Sequence, residues 1–224
     1  STTLFVVLCA LLVVLFVVDL LVGSVSIPLR DIFAALLGGE VTPSTRLIVV
    51  DIRLVKAVVA VLAGMALSVS CLQMQTLFRN PLAGPYVLGI SSGASLGVAL
   101  FILGMPLLGI ATSSTISSLG TAGAAWLGSA LILAFVASVS TRIKDIMVIL
   151  ILGMMISSGV SAVVQILQYL SNEEALKSFV IWTMGSLGDV TSSQLMLLLP
   201  AVLIGLVVSV AVIKPLNLLL LGEQ

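Results

Sequence analysis

Four polar side chains share one face of a long apolar segment in the second half of the chain. They are Ser157, Ser161, Gln165 and Gln168. At about 100° per residue, a helix would place all four within an arc of about 80°. Hydroxyl and amide groups inside a membrane either bond to a neighbouring helix or line a path for a polar solute. Both interpretations remain open from the sequence alone.

The composition excludes most other kinds of site. The 224-residue chain has no His, and only 8% of its residues are charged, against about 25% in an ordinary soluble domain. A soluble globular enzyme, a Ser-His-Asp triad and a nucleic-acid-binding surface are therefore excluded. The two cysteines, Cys9 and Cys71, lie in apolar stretches and indicate neither a disulfide nor a metal site. We predict no catalytic residue, metal site or cofactor in this chain.

Charge-free runs predict an all-α, polytopic membrane helix bundle. A membrane-spanning helix needs about 20 apolar residues, and 60% of this chain is hydrophobic. The longest charge-free run, residues 80–141, contains Gly104, Pro106 and a polar stretch, so it predicts two helices. The predicted transmembrane helices number six, at residues 3–22, 54–77, 86–104, 116–140, 146–170 and 191–213.

Two further patterns concern how these helices meet each other and the membrane surface. Gly93 and Gly97 form a small-xxx-small pair, as do Ala130 and Ala134. Such spacing lets two helices approach closely. Between the last two predicted spans, a mixed apolar and polar segment at 174–187 predicts a short helix at the membrane interface, with Trp182 as its anchor.

One string, from Gln75 to Ala94, is more specific than the composition. It opens with a predicted cytoplasmic loop motif, Arg79, Asn80, Pro81, Leu82 and Ala83. Asn80 can cap a helix and Pro81 suits a first helical turn, so the residue types predict a tight connection between helices. Arg79, Arg142 and Lys214 fall on one side of alternating spans, which favours the cytoplasm for that side.

The order of residues in this string resembles the FecCD family of ABC importer permeases. Residues 52–56 are similar to the family's Arg-Leu-Pro-Arg segment, although Val55 and Lys56 replace its proline and second arginine. Residues 182–187 are similar to its Trp-x-x-Gly-Ser-Leu segment, and residues 215–223 to the start of its coupling region. Family members have about ten helices. We therefore predict that residues 1–224 form a single transmembrane permease domain, C-terminally incomplete relative to the family.

The resemblance implies a membrane-spanning permease subunit that imports a ferric siderophore, haem or a corrinoid across the bacterial inner membrane by ATP-driven alternating access. ATP and Mg would belong to a separate ATPase, since the chain has no G-x-x-x-x-G-K-S/T motif and is not itself predicted to be an enzyme. The implied partners are a second copy of the permease in a homodimer, two ATPase subunits, an extracytoplasmic substrate-binding protein and the lipid bilayer. No nucleic acid is implied.

The resemblance also assigns roles to particular residues. They are Ser157, Ser161, Gln165 and Gln168 for the translocation path, Ile146 and Met147 for the cytoplasmic gate, Arg53 and Lys56 for binding-protein docking, and Leu221, Gly222 and Glu223 for ATPase coupling. Two alternatives remain open: a secondary transporter or channel that is not driven by ATP, and a truncated subunit that does not transport. The sequence places no buried pair of ionisable residues in the membrane interior, which argues against proton coupling.

Overall fold

The computed structural model describes residues 2–109, 114–143, 145–188 and 190–221. Regular structure in these ranges is helical. The α-helices are α1 (Thr2–Leu21), α2 (Leu29–Leu37), α3 (Pro43–Arg46), α4 (Val55–Leu77), α5 (Ile90–Ala99), α6 (Met105–Leu107), α7 (Ser114–Ser140), α8 (Ile146–Leu170), α9 (Glu173–Met184), α10 (Ser192–Ala211) and α11 (Ile213–Leu221). Two π-helical segments, Leu47–Leu54 and Leu100–Gly104, connect α3 to α4 and α5 to α6.

Five helical stretches among the described residues are long and apolar enough to cross a membrane. They are Thr2–Leu21, Ile90–Leu107, Leu119–Ser140, Ile146–Leu170 and Ser192–Ala211. The prediction of an all-α membrane helix bundle is confirmed, and five of the six predicted spans correspond to these stretches. The remaining predicted span, 54–77, coincides with α4, which continues a helical stretch that carries charges at Arg46, Asp51, Arg53 and Lys56.

The chain divides into two compact units. The first comprises Ser1–Met65 and Leu187–Ile204, and the second comprises Ala66–Ser186 and Gly205–Gln224. The first unit has a small core at Ile32, Ala35 and Val49. This division does not test the predicted single permease domain, which stays a prediction.

The second unit has two cores, both built largely from the helices around α5. One contains Phe78, Ala83, Leu88, Val136, Ile149 and Leu150. The other contains Val98, Ala99, Leu103, Val164, Ala175 and Phe179. The first core packs the turn that precedes α5 against α7 and α8. The second core packs α5 against α8 and α9.

Helices α5 and α7 cross with their backbones in contact. A Cβ atom on Gly93 would lie 2.5 Å from the carbonyl oxygen of Gly128, and Gly97 faces Ala124 in the same way. The close approach predicted at Gly93 and Gly97 is therefore confirmed. The pair predicted on α7, Ala130 and Ala134, is exposed and makes no close approach among the described helices, so its packing role stays a prediction.

Helix α8 lies against the turn that precedes α5. A Cβ atom on Gly153 would come 2.8 Å from Cα of Leu88, so a glycine is required for this approach. Gly89 has a left-handed backbone with φ of 77°, which starts α5 directly beside α8. This contact sets α5 and α8 side by side and positions the polar faces of both helices.

Candidate functional site

An open groove of about 620 Å³ lies in the second unit, between α5, α8 and α9. Its polar lining comprises Tyr86, Ser91, Ser92, Ser95, Ser129, Ser161, Gln165, Gln168 and Thr183. Its apolar lining comprises Ile90, Ala94, Val160, Val164, Phe179 and Trp182. None of these lining residues carries a formal charge, so the groove offers hydrogen bonds without a fixed charge.

Three of the four residues predicted to line a path belong to this groove. Ser161, Gln165 and Gln168 project from α8 into its wall. Ser157 is not among the lining residues: its hydroxyl donates a hydrogen bond to the carbonyl oxygen of Gly153 at 2.9 Å. A Cβ atom on Gly89 would lie 3.0 Å from that hydroxyl oxygen. Ser157 therefore sits in the packing contact between α8 and the turn before α5.

The two glutamines are available to a solute. Gln165 is exposed and Gln168 is half-buried. Neither side-chain amide makes a hydrogen bond within the described part of the chain. The alternative interpretation, in which these amides join neighbouring helices, is therefore not realised among the described residues. That they conduct a solute stays a prediction.

Several groove residues were not predicted as path residues from the sequence. Ser91, Ser92 and Ser95 come from α5, and the hydroxyl of Ser129 on α7 donates to the carbonyl oxygen of Ile90 at 3.4 Å. The three α5 serines lie at helical spacing on one face. This spacing is the sequence signal that could have identified the serines as groove residues. The same segment contains Gly93 and Gly97, which pack α5 against α7, so the pattern was interpreted as helix packing alone.

Helix α9 contributes an aromatic wall to the groove. The rings of Phe179 and Trp182 stack with their centroids 6.2 Å apart and an interplanar angle of 25°. Asn172 caps α9 by accepting a hydrogen bond from the backbone N–H of Ala175 at 2.8 Å. The short helix predicted in this segment is thus confirmed, whereas its place at the membrane interface stays a prediction.

The predicted gate residues lie far from the groove. Ile146 and Met147 open α8 and are exposed, and the carboxylate of Asp145 caps the helix by accepting from the Met147 N–H at 2.9 Å. At 1.5 Å per residue, about 33 Å of helix separates Ile146 from Gln168. A gate at Ile146 and Met147 would therefore lie at the opposite end of α8 from Gln168.

The loop motif forms turns and not the start of a helix. The side-chain oxygen of Asn80 accepts a hydrogen bond from the N–H of Leu82 at 2.9 Å, and Arg79 has a left-handed φ of 46°. Ala83 is buried in the core of the second unit, while Pro81 and Leu82 are exposed. The predicted connection between helices is confirmed, but Asn80 and Pro81 do not cap or open a helix, because the next helix starts at Ile90.

Arg53, predicted to dock a binding protein, is buried with 6% of its surface exposed. Its guanidinium donates hydrogen bonds to the carbonyl oxygens of Leu20 at 2.9 Å and Leu21 at 3.1 Å, and also to that of Val25. These carbonyls lie at and beyond the end of α1, where a helix leaves its last acceptors unpaired. The structure does not present the Arg53 charge for docking, so this assignment is corrected.

Lys56, the other predicted docking residue, is exposed. Its side chain is 46% exposed, and its Nζ atom lies 4.0 Å from a carboxylate oxygen of Asp19. An exposed pair at this distance is weak, so the ammonium group remains accessible. Of the coupling residues, Leu221 ends α11, whereas Gly222 and Glu223 lie outside the described residues.

An all-helical bundle with several apolar spans and a neutral polar groove defines the chain as part of a multi-pass membrane protein. The chain belongs to the FecCD transport family, whose sequence profile matches residues 11–224.

Individual proteins of known sequence support this assignment. The chain is 31% identical over 223 residues to the molybdate import system permease protein of Haemophilus influenzae, covering 97% of this chain and 64% of that protein. It is 37% identical over 179 residues to the hemin transport system permease protein of Yersinia pestis, covering 78% of this chain and 51% of that protein. The chain thus spans about half to two thirds of the length of these relatives.

A solved structure has the same fold. It is described as an inward-facing conformation of a metal-chelate type ABC transporter, and it superposes with a TM-score of 0.80 at 28% sequence identity. The match covers 98% of this chain and 65% of that one.

Proposed function

We propose that this chain forms part of the membrane permease of an ABC importer, and that cargo crosses the membrane along the groove between α5, α8 and α9. The observation that carries the proposal is the uncharged polar lining, to which α8 contributes Ser161, Gln165 and Gln168. A hydroxyl and amide surface holds a solute weakly enough to release it. Membership of the FecCD transport family and the names of the relatives support the same function.

The proposed cargo is an intact metal complex: a ferric siderophore, haem or a corrinoid. The sequence has no His, and no group of His, Cys, Asp or Glu able to hold a metal ion occurs among the described residues. Hydroxyl and neutral amide groups are poor ligands for iron or cobalt ions that already have stronger ligands. The metal would therefore keep its chelator while it passes the groove.

Transport would follow alternating access. Two separate ATPase subunits bind ATP and Mg, and their closure moves the ends of the helices, including the region of Ile146 and Met147. A second copy of the permease completes the path in a homodimer, and the segment from Leu221 onward contacts the ATPase. An extracytoplasmic binding protein delivers the cargo, with Lys56 as a docking charge, at the bacterial inner membrane.

Reconstituted transport tests this proposal. The full-length protein that contains this chain, with its ATPase and binding protein, is placed in vesicles, and uptake of labelled hemin, ferrioxamine B and vitamin B12 is measured with and without ATP. We expect ATP-dependent uptake of one cargo. Uptake that follows an ion gradient without ATP would instead support a secondary transporter or channel.

A matched pair of variants ties transport to the groove. Ser161→Leu places an apolar side chain in the lining, whereas Ser158→Leu makes the same change on α8 outside it, where the Ser158 hydroxyl bonds only to its own helix at Met154. We expect the first variant to reduce uptake and the second to leave it near the parent level. Equal loss in both variants would argue that α8 tolerates no such change, and that the groove is not the path.

A further inference from the structure

A narrow cleft lies between α1 and α4 in the first compact unit, with a volume of about 240 Å³. Of the residues in α1 only Leu20 is buried, so α1 does not close over α4 along this length. The lining of the cleft is entirely apolar and comprises Leu12, Val13 and Phe16 from α1 with Val58, Val61 and Leu62 from α4. The cleft therefore offers an occupant apolar contacts alone.

A pair of opposite charges marks one end of the cleft. The Lys56 Nζ atom lies 4.0 Å from a carboxylate oxygen of Asp19, and the two side chains are 46% and 41% exposed. Asp19 follows Phe16 by about one helical turn, and Lys56 precedes Val58 by two residues. At 1.5 Å per residue, the lining extends from this pair for about 10 Å along each helix. An ammonium group and a carboxylate thus stand at the end of an apolar channel.

The size of the cleft favours a flexible chain over a helix as its occupant. Two turns of an α-helix with its side chains, about 10 Å across, have several times the volume of the cleft. A further helix could therefore cover the cleft but not enter it, whereas a lipid acyl chain is narrow and wholly apolar. Because lipid tails are as apolar as Leu, the cleft would contribute packing, and any preference among lipids would come from the headgroup.

The charged pair determines which headgroup fits. The ammonium group of Lys56 can donate hydrogen bonds to a phosphate, and the carboxylate of Asp19 can accept them from a cation that has N–H groups. A phosphoethanolamine headgroup supplies both a phosphate and a primary ammonium group. The quaternary ammonium of phosphocholine has no N–H to donate. A phosphoglycerol headgroup carries no cation, so its phosphate would leave Asp19 beside a second negative charge.

We infer that a phospholipid with an ethanolamine headgroup binds at this site, with one acyl chain in the α1–α4 cleft, its phosphate at Lys56 and its ammonium group at Asp19. The exposed Lys56–Asp19 pair is weak at 4.0 Å, so a headgroup can insert between the two side chains at little cost. The inference requires a membrane lipid but no cargo, and it holds or fails independently of the proposed function.

Native mass spectrometry of the full-length protein that contains this chain, purified in detergent without its binding protein, tests the inference. Dioleoyl phosphatidylethanolamine, phosphatidylcholine and phosphatidylglycerol are added in separate titrations. We expect the parent to bind the ethanolamine lipid about fivefold more tightly than the choline lipid, the size of one exposed charge interaction. Asp19→Asn should remove this preference. Asp51→Asn, at an exposed aspartate of the same unit that does not line the cleft, should keep it.

A second pair of variants tests the acyl chain. Val13→Phe narrows the cleft and should weaken binding of all three lipids about fivefold, since the chain loses its packing surface. Val14→Phe makes the same change at the next residue of α1, which is 56% exposed and does not line the cleft, and should bind lipid like the parent. If Val13→Phe does not fold, the comparison of Asp19→Asn with Asp51→Asn decides.

Several results would overturn the inference. Equal binding of the ethanolamine and choline lipids by the parent would remove the headgroup site, as would tighter binding of the glycerol lipid. An equal loss of preference in Asp19→Asn and Asp51→Asn, or equal lipid binding by Val13→Phe and Val14→Phe, would place the lipid elsewhere. If the parent retains no lipid, another part of the full-length protein or a second copy covers the cleft.

Discussion

Gly23 lies directly against the guanidinium of Arg53. A Cβ atom on Gly23 would sit 2.6 Å from Nη2 and 2.8 Å from Cζ of Arg53. The guanidinium also donates hydrogen bonds to three carbonyl groups at and after the end of α1. These bonds hold it in place against Gly23. The glycine and the arginine therefore form one structural unit, which joins α1 to the π-helical segment Leu47–Leu54.

Substitution of either member should destabilise the protein. Arg53→Ala removes three charge-assisted hydrogen bonds and leaves the buried carbonyl of Leu20 unpaired, at a cost of about 3 kcal/mol. Gly23→Ala should cost less, because the guanidinium is displaced but not removed. Thermal unfolding of the full-length protein in detergent measures both effects. Arg46→Ala, an exposed arginine in the same stretch, serves as the control and should change little.

The two substitutions should also be coupled. Once Arg53 is Ala, the space beside Gly23 is empty, so Gly23→Ala should have little further effect on the unfolding temperature. A double-mutant cycle therefore predicts less than additive destabilisation. Strict additivity would show that Gly23 and Arg53 act independently.

Lys56→Glu should weaken association with the extracytoplasmic binding protein. The Lys56 ammonium is exposed, and charge complementarity mainly accelerates association, so the loss should be largest at low salt. Binding kinetics over a range of salt concentrations measures this. Lys177→Glu makes the same charge reversal at an exposed lysine on α9 and serves as the matched control. A salt-independent change, or none, would remove Lys56 from the docking surface.

Gly93→Ala should disrupt the crossing of α5 and α7. The added methyl group would meet the carbonyl oxygen of Gly128 at 2.5 Å, and overpacking of this kind costs about 1–3 kcal/mol. Gly159→Ala on α8 is the control, because nothing lies within 4 Å of its Cβ position. Unfolding temperatures should fall for the first variant and stay level or rise for the second. Equal temperatures would contradict the backbone contact.

Cysteine accessibility should map the groove in the assembled protein. On a background without Cys9 and Cys71, we expect Ser161→Cys to react with a membrane-impermeant thiol reagent, because Ser161 lines the groove. Ser158→Cys, three positions earlier on α8, should react at least about tenfold more slowly, since it is exposed outside the groove, where the proposed function places lipid and few thiolates form. Added cargo should protect Ser161→Cys only. Similar rates at both positions would place water on both faces of α8.

Some features of this protein follow from local sequence. The charge-free runs predicted the long helices because a charged residue inside the bilayer is costly. The common face of Ser161, Gln165 and Gln168 follows from the helical period alone. The close approach at Gly93 and Gly97 could be predicted because glycine has no side chain to keep two helices apart. Each of these is a property of neighbouring residues, so the sequence was sufficient.

Other features depend on residues that lie far apart in the sequence. Ser157 shares the face of Ser161, yet the turn at Gly89 packs on it and removes it from the groove. The family resemblance assigned Arg53 to docking of a binding protein, but the carbonyls at the end of α1 hold it in the interior. In both cases a partner more than thirty positions away decides the role of the residue.

The sequence by itself thus determined where the helices lie and which of their faces are polar, since both depend on composition and period within one segment. Only the tertiary structure decided which polar residues share a groove, which glycine faces Gly93, and that Trp182 stands at the groove wall. The periodicity of side chains is a local property of one helix. Contacts between helices instead depend on how well their whole surfaces fit together. Many pairs of small or polar residues match a local pattern equally well, so the pattern does not identify the pair that is in contact.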